Sequence, residues 1–162
     1  MHVNTRPPVA DTVGMNMVNK PVRVLLADAG VLLREQLTSM LSQSRCQVMT
    51  AVDGFEVLCR LPELRPDILL IASDLPRLGG IQVCSLLRQS PDFVSLPVLI
   101  LTGSHALVDT VRAEMAGADA CLEKPFRCKE LRAAFSSVLA QRTDAGAPMH
   151  RESLLDGLFS DH

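Results

Sequence analysis

Four short stretches of this sequence end in side chains able to do chemistry. Ala27-Asp28-Ala29 and Ala72-Ser73-Asp74-Leu75-Pro76 each follow an apolar run and each bring a carboxylate. Thr102-Gly103 follows a third run, and Glu123-Lys124-Pro125-Phe126 a fourth. A carboxylate so placed can act as a nucleophile or hold a hard cation. A second group is cationic: Lys124, Arg127, Lys129 and Arg132 enter the last helical segment. They suit an anionic ligand such as a nucleotide second messenger, or simply form a solvated helix face. His105 follows the fourth run in a loop and reads as solvated. The cysteines at 46, 59, 84, 121 and 128 are odd in number and lack C-x-x-C spacing. They read as reduced, buried thiols of a cytosolic protein, not as a disulfide frame or a zinc site.

The segments that must position these groups alternate in period. Apolar runs at Val22–Ala27, Gln47–Ala51, Ile68–Ala72, Val98–Thr102 and Ala120–Leu122 read as strands. Between them, apolar residues recur at three- and four-residue spacing: Leu33, Leu37, Met40 and Leu41; Val57, Leu58 and Leu61; Val83, Leu86 and Leu87; Val108, Val111 and Met115; Leu131, Phe135 and Leu139. Near-continuous apolar strands alternating with amphipathic helices imply a parallel sheet covered on both faces. Five such units predict an α/β, doubly wound five-stranded sheet. Sites in such sheets gather at the carboxyl ends of the strands, which is where the chemistry-bearing residues stand. Asp53 is predicted to cap the second helix, with Gly54 permitting the turn.

Composition narrows the function. The 162 residues suit one domain, with 48% hydrophobic and 21% charged side chains and a net charge of −2. A near-neutral balance, with no Trp or Tyr, argues against a nucleic-acid binder. No apolar window approaches the ~20 residues of a membrane span. Residues 1–20 read as a flexible leader, 21–140 as the domain, and 141–162 as a linker and a short amphipathic tail. The tail carries apolar residues at 154, 155, 158 and 159, and either docks back on the domain or offers a peptide to a partner.

PDILL before the third strand end, LPRLGG after it, LPVLILTG and AGADACLEKPF together resemble the receiver domain of bacterial two-component response regulators. The resemblance runs from about Val22 to Leu139. It implies a flavodoxin-like (βα)5 fold with strand order 2-1-3-4-5. It also implies a pocket at Asp28, Ala29, Ala72, Asp74, Thr102 and Lys124, with a conformational switch at Thr102 and Cys121.

The family pattern has two consecutive acidic residues after the first strand and a phosphoacceptor Asp four residues before the loop proline. Here the acidic pair is Asp28-Ala29, and four residues before Pro76 stands Ala72. Phosphoryl transfer needs a carboxylate nucleophile and Mg²⁺ held by several oxygens, so both losses strike the same reaction. Cys121 stands where the family has its switch aromatic, and Gly79 where an acidic residue is common. The sequence therefore resembles an atypical receiver that is not an enzyme, needs no cofactor and binds Mg²⁺ weakly or not at all. The alternatives are an active phosphoacceptor using Asp74, or a small-ligand sensor. No DNA-binding or catalytic domain follows, so output is expected through a protein partner: a sensor kinase, a chemotaxis-like protein or a pilus-machinery component. The expected contact surface includes Leu107, Val111, Arg112, Cys121, Arg127 and Lys129. CQVMTAVDGFEVL and PRLGGIQVCSLLRQSPDFVSLPVLIL further resemble receivers of the chemotaxis-like systems that govern type IV pili and twitching motility. Lys124-Pro125 resembles the family's cis junction, and Asp28 and Lys124 are expected to meet at the strand ends.

Overall fold

Runs of Val, Ile and Leu become strands here because side chains on both faces are buried. In the computed structural model, which describes residues 20–143, five parallel strands form one sheet in the order β2-β1-β3-β4-β5. They are β1 (Val22–Ala27), β2 (Cys46–Ala51), β3 (Ile68–Ala72), β4 (Val98–Thr102) and β5 (Ala120–Glu123). Every residue of β3 and β4 is buried, as central strands require, whereas β2 and β5 at the edges are only partly covered. Helices α1 (Val31–Ser42), α2 (Gly54–Leu64), α3 (Gly80–Arg88), α4 (Ala106–Ala116) and α5 (Cys128–Thr143) make the returns.

Alternation along the strands splits the core into two layers. Leu25, Leu69, Ile71, Val98 and Ile100 face α2, α3 and α4, where they meet Val57, Leu61, Val83, Leu87 and Ala113. Val24, Leu26, Ile68, Leu70, Leu99 and Leu101 face α1 and α5, where they meet Leu37, Leu41, Leu131, Phe135 and Val138. The doubly wound sheet and its strand order are as the sequence implies.

Several expectations need correction. The apolar stripe of α4 does not face the core: Val108, Val111 and Met115 are 60%, 57% and 83% exposed, and Leu107 is 87% exposed. The helix rests on small residues instead, with Ala113 buried and Thr110 and Ala116 half-buried, so its large side chains fall on the outer face. Leu86 likewise lies off the buried face of α3, which is made by Ile81, Val83, Cys84 and Leu87. Helix α5 continues to Thr143, beyond the expected boundary at 140, and β2 and β5 are each one residue longer than their apolar runs. Only Cys46 and Cys84 are buried; Cys59 is exposed, and Cys121 and Cys128 are half-buried. The expectations for residues 1–19 and for the 154–159 stripe lie outside the described residues.

Helix ends follow local chemistry. Asp53 caps α2 as predicted, its Oδ1 accepting from the Glu56 amide at 2.8 Å, while Glu56 accepts in return from the Val52 amide. Helix α4 ends in a left-handed Gly117 (φ +96°), with Gly117 donating to the Glu114 carbonyl and Ala118 to that of Ala113. Arg88 lies beneath this turn and donates to the carbonyls of Gly117 (2.8 Å), Val94 (3.1 Å) and Leu96 (2.8 Å) and to the Asp119 carboxylate (3.0 Å). One guanidinium thus ties α3, the α3–β4 loop and the start of β5. No helix among the described residues is long and apolar enough to cross a membrane.

Candidate functional site at the strand ends

The parallel register places the ends of β1, β3, β4 and β5 side by side. Ala27 pairs with Ile71, Ala72 with Leu101, and Thr102 with Glu123. Asp28, one residue beyond β1, is 3% exposed. Its Oδ1 accepts from the Gly30 amide at 2.7 Å, which turns the chain into α1, and its Oδ2 accepts from Lys124 Nζ at 2.6 Å. Arg34 donates to the Asp28 carbonyl at 2.7 Å. The Lys124 amide is anchored to the Thr102 carbonyl at 2.9 Å, and the Lys124-Pro125 bond is cis. The sequence brings Asp28 and Lys124 together as expected.

Thr102 is buried (1% exposed), and its Oγ1 has no hydrogen-bond partner. A buried hydroxyl left unpaired is costly, so it marks a place where structure alone does not account for the residue. Ala72 ends β3 with a buried methyl group. The backbone of Gly80 at the start of α3 presses so closely on the Ala72 carbonyl that a Cβ there would overlap it. Ala29 and Asp74 are both exposed. Asp74 sits in the loop after β3 and is exposed, whereas Asp28 is buried.

The β3–α3 loop is shaped by contacts that the sequence did not announce. Arg77 has φ +68°, and the Leu78 amide donates to the Pro76 carbonyl at 2.7 Å, which closes a tight three-residue turn. The Arg77 guanidinium lies 5.1 Å from the Phe55 ring centre and 3.4 Å from Asp53 Oδ2, joining this loop to the start of α2. Ser73 Oγ lies 3.1 Å from Asp109 Oδ2, joining the end of β3 to the first turn of α4. Ser73, Asp109, Arg34 and Arg77 carry no spacing signal; each contact links residues brought close only by the fold.

Between α4 and β5 runs a groove of about 780 Å³ lined by Leu107, Val108, Val111, Glu114, Cys121 and Glu123, among others. Burial pushes the Cys121 thiol up from its ordinary range, and Glu114 and Asp109 add to this against an opposing hydrogen bond with Thr110. Of the expected contact residues, Leu107, Val111, Arg112, Arg127 and Lys129 are exposed, and Cys121 lines the groove.

The profile of the family described as "Response regulator receiver domain" matches residues 24–136. The chain is 30% identical over 133 residues to Protein PilG of Pseudomonas aeruginosa, covering 82% of this chain and 98% of that protein. It is 39% identical over 128 residues to response regulator MprA of Mycolicibacterium vanbaalenii, but spans only 54% of that protein's length. Among solved structures, one from Chloroflexus aurantiacus described as a response regulator superposes with a TM-score of 0.72 at 31% identity, over 75% of this chain and 99% of the other. The chemotaxis response regulator CheY4 of Vibrio cholerae gives 0.68 at 24% identity, over 73% and 98%.

Proposed function

The chain belongs to the response regulator receiver family, and we propose that it is an atypical receiver that signals by protein–protein contact without being phosphorylated. The carrying observation is Ala72: the strand end aligned with the family's phosphoacceptor bears a methyl group and no nucleophile. Ala29 takes away a second carboxylate, and the remaining one, Asp28, is already bonded to the Lys124 ammonium. The donor set does not fit Mg²⁺, which needs near-octahedral oxygen coordination. Among the described residues no three His, Cys, Asp or Glu side chains group to hold a metal ion.

Output then depends on the face formed by α4, β5 and the start of α5. Leu107 and Val111 supply exposed apolar anchors, Arg112, Arg127 and Lys129 a basic rim, and Cys121 the groove wall. The partner is a protein: a sensor kinase, a chemotaxis-like protein or a component of a type IV pilus system. The pilus setting draws on the resemblance of the two quoted stretches and on the match across nearly all of PilG. A cytoplasmic location follows from that setting.

Incubation with acetyl phosphate and Mg²⁺ followed by intact-mass measurement tests the proposal. The mass is expected to stay unchanged. One added phosphate that disappears in Asp74→Ala would overturn it and make Asp74 the acceptor.

A further inference from the structure

The outer face of α4 presents an apolar stripe that nothing among the described residues covers. Leu107 is 87% exposed, Val108 60% and Val111 57%, all lining the groove to β5, and Met115, one turn further along the helix, is 83% exposed. On a monomer such a contiguous patch marks a contact site. The chain itself carries a matching segment. Nineteen residues follow Thr143, and within them Leu154, Leu155, Leu158 and Phe159 have the same i, i+1, i+4 spacing as Leu107, Val108 and Val111.

The topology puts this segment within reach. In a parallel sheet every helix runs back against the strands, so α4 and α5 both end at the edge where β5 begins. β5 packs between them, touching each. Thr143 therefore leaves the domain near the Met115 end of the stripe. The eleven steps from Thr143 to Leu154 extend to roughly 35 Å, against roughly 16 Å for the whole of α4.

We infer that residues 152–159 of the same chain dock along the α4–β5 groove, setting Leu154, Leu155, Leu158 and Phe159 against Leu107, Val108, Val111 and Met115. The tail then occupies the face assigned above to output and competes with the partner for it. This regulatory role rests on that assignment, although the docking itself does not. A receiver that has lost its phosphoryl control thus keeps an internal competitor whose removal opens the face.

Methyl NMR on the purified full chain tests the docking with no partner present. In Leu155→Asp/Phe159→Asp, the methyl signals of Leu107, Val111 and Met115 are expected to shift. In Val111→Asp, those of Leu154, Leu155 and Leu158 are expected to move reciprocally. Both effects should persist unchanged on dilution. Signals that stay in place in both variants would overturn the inference and leave the groove open. Shifts that vanish on dilution would also overturn it, since the occupant would then be a second copy of the chain. The output assignment fails separately: it is lost if Leu107→Asp in a chain already carrying Leu155→Asp/Phe159→Asp leaves partner binding unchanged, whatever the methyl signals show.

Discussion

At the strand ends, the loss of Lys124 should be felt through its partner Asp28. Asp28 is 5% and Lys124 26% exposed along their side chains, so removing the ammonium strands a carboxylate in a mostly water-free place. Lys124→Ala is expected to cost about 1–3 kcal/mol in urea unfolding, and less when Asp28→Ala is already present. Simple additivity of the two losses would show that the pair does not interact. Cys46 gives a pH prediction. Burial, with Asp67 adding to it, pushes its thiol from 9.0 up to about 12. The unfolded chain then loses this proton first, so the contribution of Cys46 to stability is intact below pH 9 and falls between pH 9 and 12 by up to roughly 1.4 kcal/mol per pH unit. Urea midpoints at pH 8 and 10.5 should differ less in Cys46→Ala than in the parent chain. At this scale the sequence was legible where residues sit at strand ends. Asp28, Thr102 and Lys124 were found because strand runs announce their own termini. Ser73–Asp109 and Arg77–Phe55 were not, because nothing in a linear order links positions whose neighbours are set by packing.

Among the elements, the strands and α5 declared themselves through uninterrupted or regularly spaced apolar residues, and α4 misled through the same signal. Periodicity reports that a helix has an apolar stripe, not that the stripe faces inward. Ala113, with Thr110 and Ala116 partly covered, lets α4 lie close to the sheet while its leucine and valines look out. Arg88 is the counterpart at the lower end of the sheet. Its side chain is 14% exposed against 8% for Asp119, and the latter also accepts from the Val98 amide at 2.8 Å. Arg88→Ala is expected to cost about 3–5 kcal/mol in urea unfolding, because a buried carboxylate and several carbonyls lose their donor. Arg88→Lys should recover little of it, since a single ammonium cannot replace a planar fork. Full recovery by lysine would mean that charge alone matters here.

For the whole molecule, scaffold and chemistry separate. The sheet order is that of a receiver, whereas the proposed loss of phosphotransfer rests on reading Ala29 and Ala72 as standing where that chemistry needs carboxylates. If the scaffold is otherwise that of a working receiver, Ala29→Asp/Ala72→Asp should acquire a Mg²⁺-dependent rise in thermal midpoint, and the parent chain should show none. A parent chain stabilised by Mg²⁺ as strongly as the variant would contradict the reading of the pocket.

The two ends of α4 are held very unequally. Its lower end is clamped by the Gly117 turn over Arg88, where a Cβ would lie 2.7 Å from Arg88 Cγ. Its upper end follows Gly103, where a Cβ would have no neighbour within 4 Å, and His105 at the cap position makes no side-chain capping bond. This unequal anchoring predicts that any movement of the helix as a unit pivots at Gly117. An arm of about 16 Å turned through about 10° carries Leu107 roughly 3 Å and Met115 hardly at all. The latch on the moving end is the Ser73–Asp109 contact at 3.1 Å. Asp109→Ala should speed amide exchange in the first two turns of α4 and leave the last turn unchanged; uniform acceleration would mean the helix has no pivot. A partner gripping Leu107 would then pull, through Asp109, on Ser73 at the end of β3.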